Sequence, residues 1–231
     1  MKNKINKSSR NLLIAMLLGD GTISNNYSFK LAHGIQQTEY LQWKIQQLND
    51  AGIRNTGIKT YISSKGYNIG KEVVYAQLNV MPFIKVLRRV FYKPKKIIGN
   101  RKMLNRLDAR GIAIWYMDDG CLNFRKTEGR IHGVYIRIST CLSKEENQIV
   151  IDYFKEVWNI NFYTFSEGRG TFSLCCGTKE AIKFIEIVSP FVSQIPSMIY
   201  KIHYDLSQRS KDLEGKHLPT SLCRRQPKCL N

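Results

Sequence analysis

Two aspartates occupy matching points at the ends of two apolar segments. Asp20 directly precedes Gly21, and Asp119 directly precedes Gly120. A glycine there is a normal helix C-cap, because glycine adopts the left-handed conformation without strain. A carboxylate at that end faces the negative pole of the helix dipole, which costs roughly a few tenths of a kcal/mol. The same unfavourable charge in both places indicates a compensating cation, and a divalent ion with oxygen ligands, such as Mg²⁺, would supply it.

Small side chains on both apolar segments would allow the two helices to cross closely. Ala15 and Gly19 lie one turn apart on the first segment, and Gly111 and Ala113 lie on the second. Such a crossing would bring the two aspartates together at the helix ends. Two carboxylate-bound metal ions beside a basic groove would suit in-line hydrolysis of a phosphodiester bond.

The segments that follow the two aspartates predict the same order of elements, so the chain contains one unit twice. Ser143 and Glu146 have the spacing of a capping box at a helix start. The predicted fold is α+β, with two αββαββα repeats. After the aspartates, the pattern predicts helices over 38–48, 82–91, 143–158 and 178–192, and strands over 27–33, 58–63, 73–80, 134–140, 160–166 and 171–176.

Alternation along the predicted strands indicates antiparallel sheets with one covered face and one open face. The expected covered rows are Val134, Ile136 and Ile138; Val74, Ala76, Leu78 and Val80; and Phe172 and Leu174. The expected open rows are Tyr135, Arg137 and Ser139; Val73, Tyr75, Gln77 and Asn79; and Thr171 and Ser173. An ordinary antiparallel sheet with one solvated face gives the same pattern. The open rows therefore indicate a binding surface only in combination with the high positive charge and the twofold organisation of the chain.

The formal net charge of +18 favours a polyanionic partner, although a generic basic surface is the alternative. Residues 1–105 carry +14 of that charge. A content of 43% hydrophobic residues excludes a protein that is a disordered basic tail throughout. The apolar runs are too short to span a bilayer, and the chain opens without a secretory signal, so we expect neither membrane insertion nor secretion.

The six cysteines include no CxxC pair, which excludes a zinc ribbon or a dense disulfide framework. Reduced thiols in an intracellular compartment are expected. His217, Cys223 and Cys229 are a weak candidate metal cluster near the C-terminus.

The segments LIAMLLGDG at 13–21 and IAIWYMDDG at 112–120 resemble the two motifs of single-chain LAGLIDADG homing endonucleases. Leu18 and Met117 replace an earlier acid of that pattern. The resemblance implies a saddle-shaped antiparallel sheet that binds DNA. It also implies that Asp20 and Asp119 bind two or three Mg²⁺ ions, which Mn²⁺ could replace, and that the carbonyls of Gly19 and Asp118 contribute.

A lysine follows the last helix of each repeat. The resemblance implies that Lys96 and Lys201 lie in the two active sites, where an ammonium would stabilise phosphate charge or orient the attacking water. Lys95 is an alternative to Lys96 for the active-site role. For each of the two lysines, the alternative interpretation is an ordinary solvated surface residue.

The resulting hypothesis is a monomeric, site-specific double-strand DNA endonuclease. We expect the two halves to comprise residues 1–105 and 106–206, followed by a basic tail over 207–231. Each half would cut one strand across the minor groove and leave a short 3′ overhang. Arg137 could recognise guanine and Gln77 adenine. Residues 2–10 and 209–228 either touch phosphates or simply stay solvated. The sheet would lie in the major groove of the DNA. The residues expected to contact that groove are Lys30, Lys59, Tyr61, Tyr75, Gln77, Arg137, Ser139, Tyr163 and Ser173.

Two other functions fit the same fold and charge. The first is an intron maturase, which would bind its own intron RNA. The second is a catalytically silent DNA-binding regulator, which the retention of both aspartates disfavours. An intron-encoded enzyme would act in a mitochondrion, a chloroplast, or a bacterial or phage-infected cytoplasm.

Overall fold

The computed structural model describes residues 5–64, 69–93, 96–97, 100–128, 130–168 and 170–204. The first repeat runs in the order helix, two strands, helix, two strands, helix. Its elements are α1 (Lys7–Leu18), β1 (Thr22–Ile23), β2 (Phe29–Gly34), α2 (Thr38–Asp50), β3 (Lys59–Ile62), β4 (Glu72–Leu78) and α3 (Pro82–Phe91).

The second repeat has the same order after a short linking helix, α4 (Arg101–Leu104). A 3₁₀ helix at Pro196–Lys201 follows it. The predicted α+β class and the repeated αββαββα order are therefore confirmed. The elements of this repeat are α5 (Ala109–Asp119), β5 (Gly120–Thr127), β6 (Arg130–Leu142), α6 (Lys144–Trp158), β7 (Tyr163–Gly168), β8 (Thr171–Cys176) and α7 (Thr178–Val192).

Each repeat forms a four-stranded antiparallel sheet, in the orders β1-β2-β4-β3 and β5-β6-β8-β7. The registers of the two sheets correspond. Lys30 pairs with Thr22, and Arg137 pairs with Cys121. Both partners lie two residues after the motif aspartate of their repeat, so Lys30 and Arg137 occupy matching positions.

Helices α1 and α5 form the centre of the molecule and pack against each other. Residues 12–18 and 112–117 are buried without a break, which is the pattern of helices covered on all sides. The crossing is close, because a Cβ added at Gly111 would lie 2.5 Å from Asn11 Oδ1 and 3.5 Å from the Cβ of Ala15. The small residues therefore allow the close approach that the sequence predicts.

Side-chain caps fix where the central and flanking helices begin. Asp108 accepts a hydrogen bond from the Gly111 amide at the start of α5. The capping box of Ser143 and Glu146 is present at the start of α6, as predicted. Such caps satisfy amides that have no partner inside the helix.

Strand β4 differs from its predicted alternation at both ends. Val80 was expected in the covered row, but it is 56% exposed because the strand ends at Leu78 before Pro82 opens α3. Val73 was expected in the open row, but it is buried where β4 pairs with both neighbouring strands.

Some predicted features lie outside the described residues, including the basic segment 209–228 and the candidate cluster of His217, Cys223 and Cys229. Cys175 and Cys176 are free thiols in β8, and burial raises the pKa of Cys176 to about 12. Among the described residues, no helix combines the length and apolar character needed to cross a membrane.

Candidate active site

The ends of the two central helices meet. Gly19 caps α1, and α5 ends at Asp119. The backbone amide of Asp20 donates a 3.0 Å hydrogen bond to Oδ2 of Asp118, the neighbour of Asp119 in the chain. Asp20 and Asp119 are both partly exposed. The structure thus places the two partly exposed motif aspartates at helix ends that contact each other through Asp118.

A lysine from each repeat reaches the end of its own central helix. Lys96 Nζ donates to the carbonyls of Gly19 at 2.6 Å and Gly21 at 3.1 Å. Lys201 Nζ donates to the carbonyl of Gly120 at 2.7 Å, and Gly120 matches Gly21. A cation is favoured beside the carbonyls at a helix C-terminus. Both predicted lysines therefore lie beside the motif aspartates, and Lys95 lies outside the described residues.

Asp118 is the centre of a buried polar network that joins the two halves. Its Oδ1 accepts from Lys44 Nζ at 2.6 Å and from the Tyr40 hydroxyl at 2.9 Å. The side chains of Lys44 and Asp118 are both fully buried. Burial and the Asp118 carboxylate raise the pKa of Tyr40 well above its ordinary value, so the hydroxyl keeps its proton and donates.

His33 on β2 extends this network to Asp20. Its Nε2 lies 3.1 Å from Lys44 Nζ, and its Nδ1 lies 3.5 Å from Asp20 Oδ2. An ammonium group can only donate, so the geometry is that of a His33 tautomer that accepts at Nε2 and has Nδ1 on the side of Asp20. The contacts form a ring that starts at the Asp20 carboxylate and returns to the Asp20 amide.

The side chains of the motif aspartates Asp20 and Asp119 are better suited than that of Asp118 to bind a metal ion that prefers oxygen ligands. Candidate ligand atoms of Asp20, His33 and Asp118 lie within 4.8 Å of one another. Both Asp118 oxygens already accept hydrogen bonds, and the side chain is fully buried. The partly exposed carboxylates of Asp20 and Asp119 are the hard oxygen donors that Mg²⁺ prefers.

The sequence interpretation assigned the carbonyls of Gly19 and Asp118 to the metal and missed the Asp118 side chain. In the structure the Gly19 carbonyl accepts from Lys96. The side chains of His33, Tyr40 and Lys44 are likewise absent from the site that the sequence predicts. Lys44 gave one usable signal, since it occurs between Leu41 and Leu48 on the buried face of α2, where a lysine requires a partner.

In the first sheet, the predicted groove residues form an aromatic cradle around one lysine. Lys30 Nζ lies 4.4 Å from the ring centroids of both Tyr61 and Tyr75. The two rings meet edge to face with centroids 5.4 Å apart. Lys59 is exposed beside Tyr75, and Gln77 is half-buried beside Lys30.

In the second sheet, Arg137 lies 4.0 Å from the Phe165 ring centroid and 3.5 Å from a Glu167 carboxylate oxygen. Ser173 was expected to contact DNA, but it is fully buried and donates to the same carboxylate at 2.5 Å. Ser173 therefore supports Glu167 and does not itself face the groove. Tyr163 is 47% exposed, and Ser139 is half-buried.

The sequence profile described as the LAGLIDADG DNA endonuclease family matches residues 10–184. This chain belongs to the LAGLIDADG DNA endonuclease family. The resemblance predicted from the two motifs is therefore confirmed.

Individual relatives show the fold and the region of similarity. The homing endonuclease I-WcaI, solved bound to its DNA recognition sequence, has a TM-score of 0.72 at 20% identity, over 88% of this chain and 89% of that one. Proteins named RecA from Mycolicibacterium flavescens and Mycobacterium shimoidei are 28% and 29% identical over 83% of this chain. The match covers 45% of each RecA protein, so this chain spans less than half their length.

Proposed function

We propose that this endonuclease cuts both strands of one long, specific DNA site with the help of Mg²⁺ or Mn²⁺. Each half would cut one strand, and a single chain would suffice. The observation that carries the proposal is the pair of motif aspartates at meeting helix ends, each with a lysine from its own repeat beside it.

The side chains divide the chemistry between them. Asp20 and Asp119 would hold the divalent ions, which polarise a phosphate and make bound water a better nucleophile. The ammonium groups of Lys96 and Lys201 are held rigidly by main-chain carbonyls, so they could stabilise the charge that develops on the scissile phosphate.

The open sheet faces supply the DNA-binding surface in this proposal. The cradled ammonium of Lys30 and the guanidinium of Arg137 occupy matching positions on the two sheets. Glu167 and Phe165 hold the guanidinium in place, which favours bidentate recognition of guanine. The half-buried amide of Gln77 remains our candidate for recognition of adenine.

The biological role that we propose is mobility of the DNA that encodes the enzyme, either as an intron or as a segment inside a longer reading frame. The similarity to part of longer RecA proteins supports the second arrangement. Maturase activity is the competing proposal, and tight binding of the encoding intron RNA without DNA cleavage would favour it.

Cleavage of a plasmid library that contains randomised inserts tests the proposed function. We expect the purified protein to linearise a small, related set of plasmids with Mg²⁺ or Mn²⁺, and to linearise none with EDTA. Cleavage that is independent of divalent ions would contradict the proposal, as would cleavage spread evenly over all inserts.

DNA affinity should fall steeply with salt, because residues 1–105 alone carry +14. If about eight phosphates are neutralised, log K should fall with log salt concentration at a slope of about −7. Titrations at several salt concentrations measure this slope. A value shallower than about −2 would show that the charge is not used on DNA.

Lys59→Met and Lys179→Met provide a matched pair for the same titration. Both lysines are exposed, but Lys59 lies on β3 and Lys179 lies on α7. Loss of one phosphate contact should make the slope shallower by about one unit for Lys59→Met. The slope for Lys179→Met should stay unchanged, and equal effects would contradict the assignment of the sheet as the DNA-binding face.

A further inference from the structure

The two repeats differ at the residue before the motif aspartate. The first repeat has Gly19 and the second has Asp118. A Cβ added at Gly19 would lie only 2.0 Å from Asp118 Oδ2. The carboxylate of the second half therefore occupies the space that a side chain at the matching position of the first half would need.

The residues that surround Asp118 also differ from their counterparts in the second half. Counting from the matched positions of β2 and β6, His33 corresponds to Thr140 and Tyr40 corresponds to Asn147. The contacts agree with this correspondence. The rings of His33 and Tyr40 lie 5.2 Å apart, and the Thr140 hydroxyl donates to Asn147 at 2.7 Å.

Lys44, four residues after Tyr40, corresponds to Ile151. Ile151 packs against the hydrophobic core and carries no charge. The second half therefore has no ammonium at the position of Lys44, and the first half offers it no carboxylate at Gly19. The ring of polar contacts that closes on Asp20 cannot form in the same way around Asp119.

We propose that Lys44 and Asp118 are positioning residues for Asp20 alone, so that the active site of the first half depends on a carboxylate from the second. The Asp118 carboxylate fixes the Asp20 amide at 3.0 Å, and Lys44 fixes that carboxylate at 2.6 Å. Through His33, the same ammonium also reaches the Asp20 carboxylate. This inference rests on the proposed cleavage of one strand by each half.

Strand-resolved cleavage by Lys44→Met tests the inference. Single-turnover reactions with Mg²⁺ and a target labelled on each strand give two rates, and Asp20→Asn identifies the strand that Asp20 serves. We expect Lys44→Met to slow that strand by about 10- to 100-fold, the usual effect of removing a group that orients a metal ligand. The other strand should stay within about twofold, so nicked DNA should accumulate.

Ile151→Met is the matched control, because it places the same side chain at the corresponding position of the other half. We expect it to slow neither strand. Equal slowing of both strands by Lys44→Met, or no slowing of either, would overturn the inference. Failure of the unaltered protein to cut either strand would instead contradict the proposed function.

Lys44→Met leaves a buried carboxylate without its counter-charge and could unfold the protein. Combining it with Asp118→Asn removes both charges of the pair, so this double variant should melt closer to the unaltered protein. It should slow the same strand as Lys44→Met. A folded double variant that cuts both strands at the normal rate would overturn the inference.

Hydrogen–deuterium exchange of the metal-free protein gives a readout that does not require activity. The Asp20 amide donates a hydrogen bond to Asp118, which should protect it from exchange. In Lys44→Met we expect this amide to exchange at least about tenfold faster, because the local structure around it opens more often. Exchange at Asp119 should not change. Unchanged exchange at Asp20 would overturn the inference even if cleavage were lost.

Discussion

Replacing Asp20 or Asp119 by asparagine should lower the rate of double-strand cleavage by at least about a thousandfold, because a metal-ligand carboxylate contributes several kcal/mol to transition-state stabilisation. Each substitution keeps the size of the side chain, removes its charge and replaces one carboxylate oxygen with an amide nitrogen. DNA affinity should change little, since the aspartates make no attractive contact with phosphates in this proposal.

Single-turnover cleavage and DNA binding in EDTA measure the two effects separately. Asp50→Asn is a suitable control, because Asp50 is an exposed carboxylate near the end of α2 whose contact is with Gln46. It should behave like the unaltered protein. Near-normal double-strand cleavage by either motif variant would remove the basis of the metal assignment.

Lys96→Met and Lys201→Met should each slow cleavage of one strand by about a hundredfold, which is the usual cost of losing one preorganised charge-stabilising group. The two variants should affect opposite strands, because each ammonium lies at the helix end of its own half. Affinity should hardly change, since each variant removes one of 36 basic residues.

Targets labelled on each strand resolve these rates. Lys93→Met provides the control, because Lys93 is exposed and close in sequence to Lys96. It should leave both rates unchanged. Mild and equal slowing of both strands in both lysine variants would show that these are ordinary backbone contacts, and Lys95 should then be tested in place of Lys96.

Local signals predicted most of the fold. The bounds of α3 and α7 are those that the sequence predicts, because Pro82 fits the first turn of a helix and the apolar periodicity of residues 178–192 is continuous. Comparison of the two repeats then located corresponding elements, whereas the placement of both lysines came from the family resemblance. The predictions of the elements succeed because they depend on neighbours in the chain or on comparison of the chain with itself.

Contacts between distant segments were harder to predict. The pairing of Lys44 with Asp118 depends on how α2 lies against the end of α5, and nothing local in the sequence specifies that arrangement. The prediction that Ser173 contacts DNA was wrong because alternation along a strand predicts the sheet face on which a side chain lies. It does not predict which other side chains cover that face. In the structure a register shift near the end of β7 accompanies the contact of Glu167 with this serine.

Mapping both strands of the cleaved target tests the central claim most directly, since one active site in each half should cut one strand across the minor groove. The phosphates that face each other across that groove are offset towards the 3′ ends. Sequencing both ends of each product should therefore give 3′ overhangs of one constant length at one target sequence. Blunt ends, 5′ overhangs or overhangs of variable length would contradict the account.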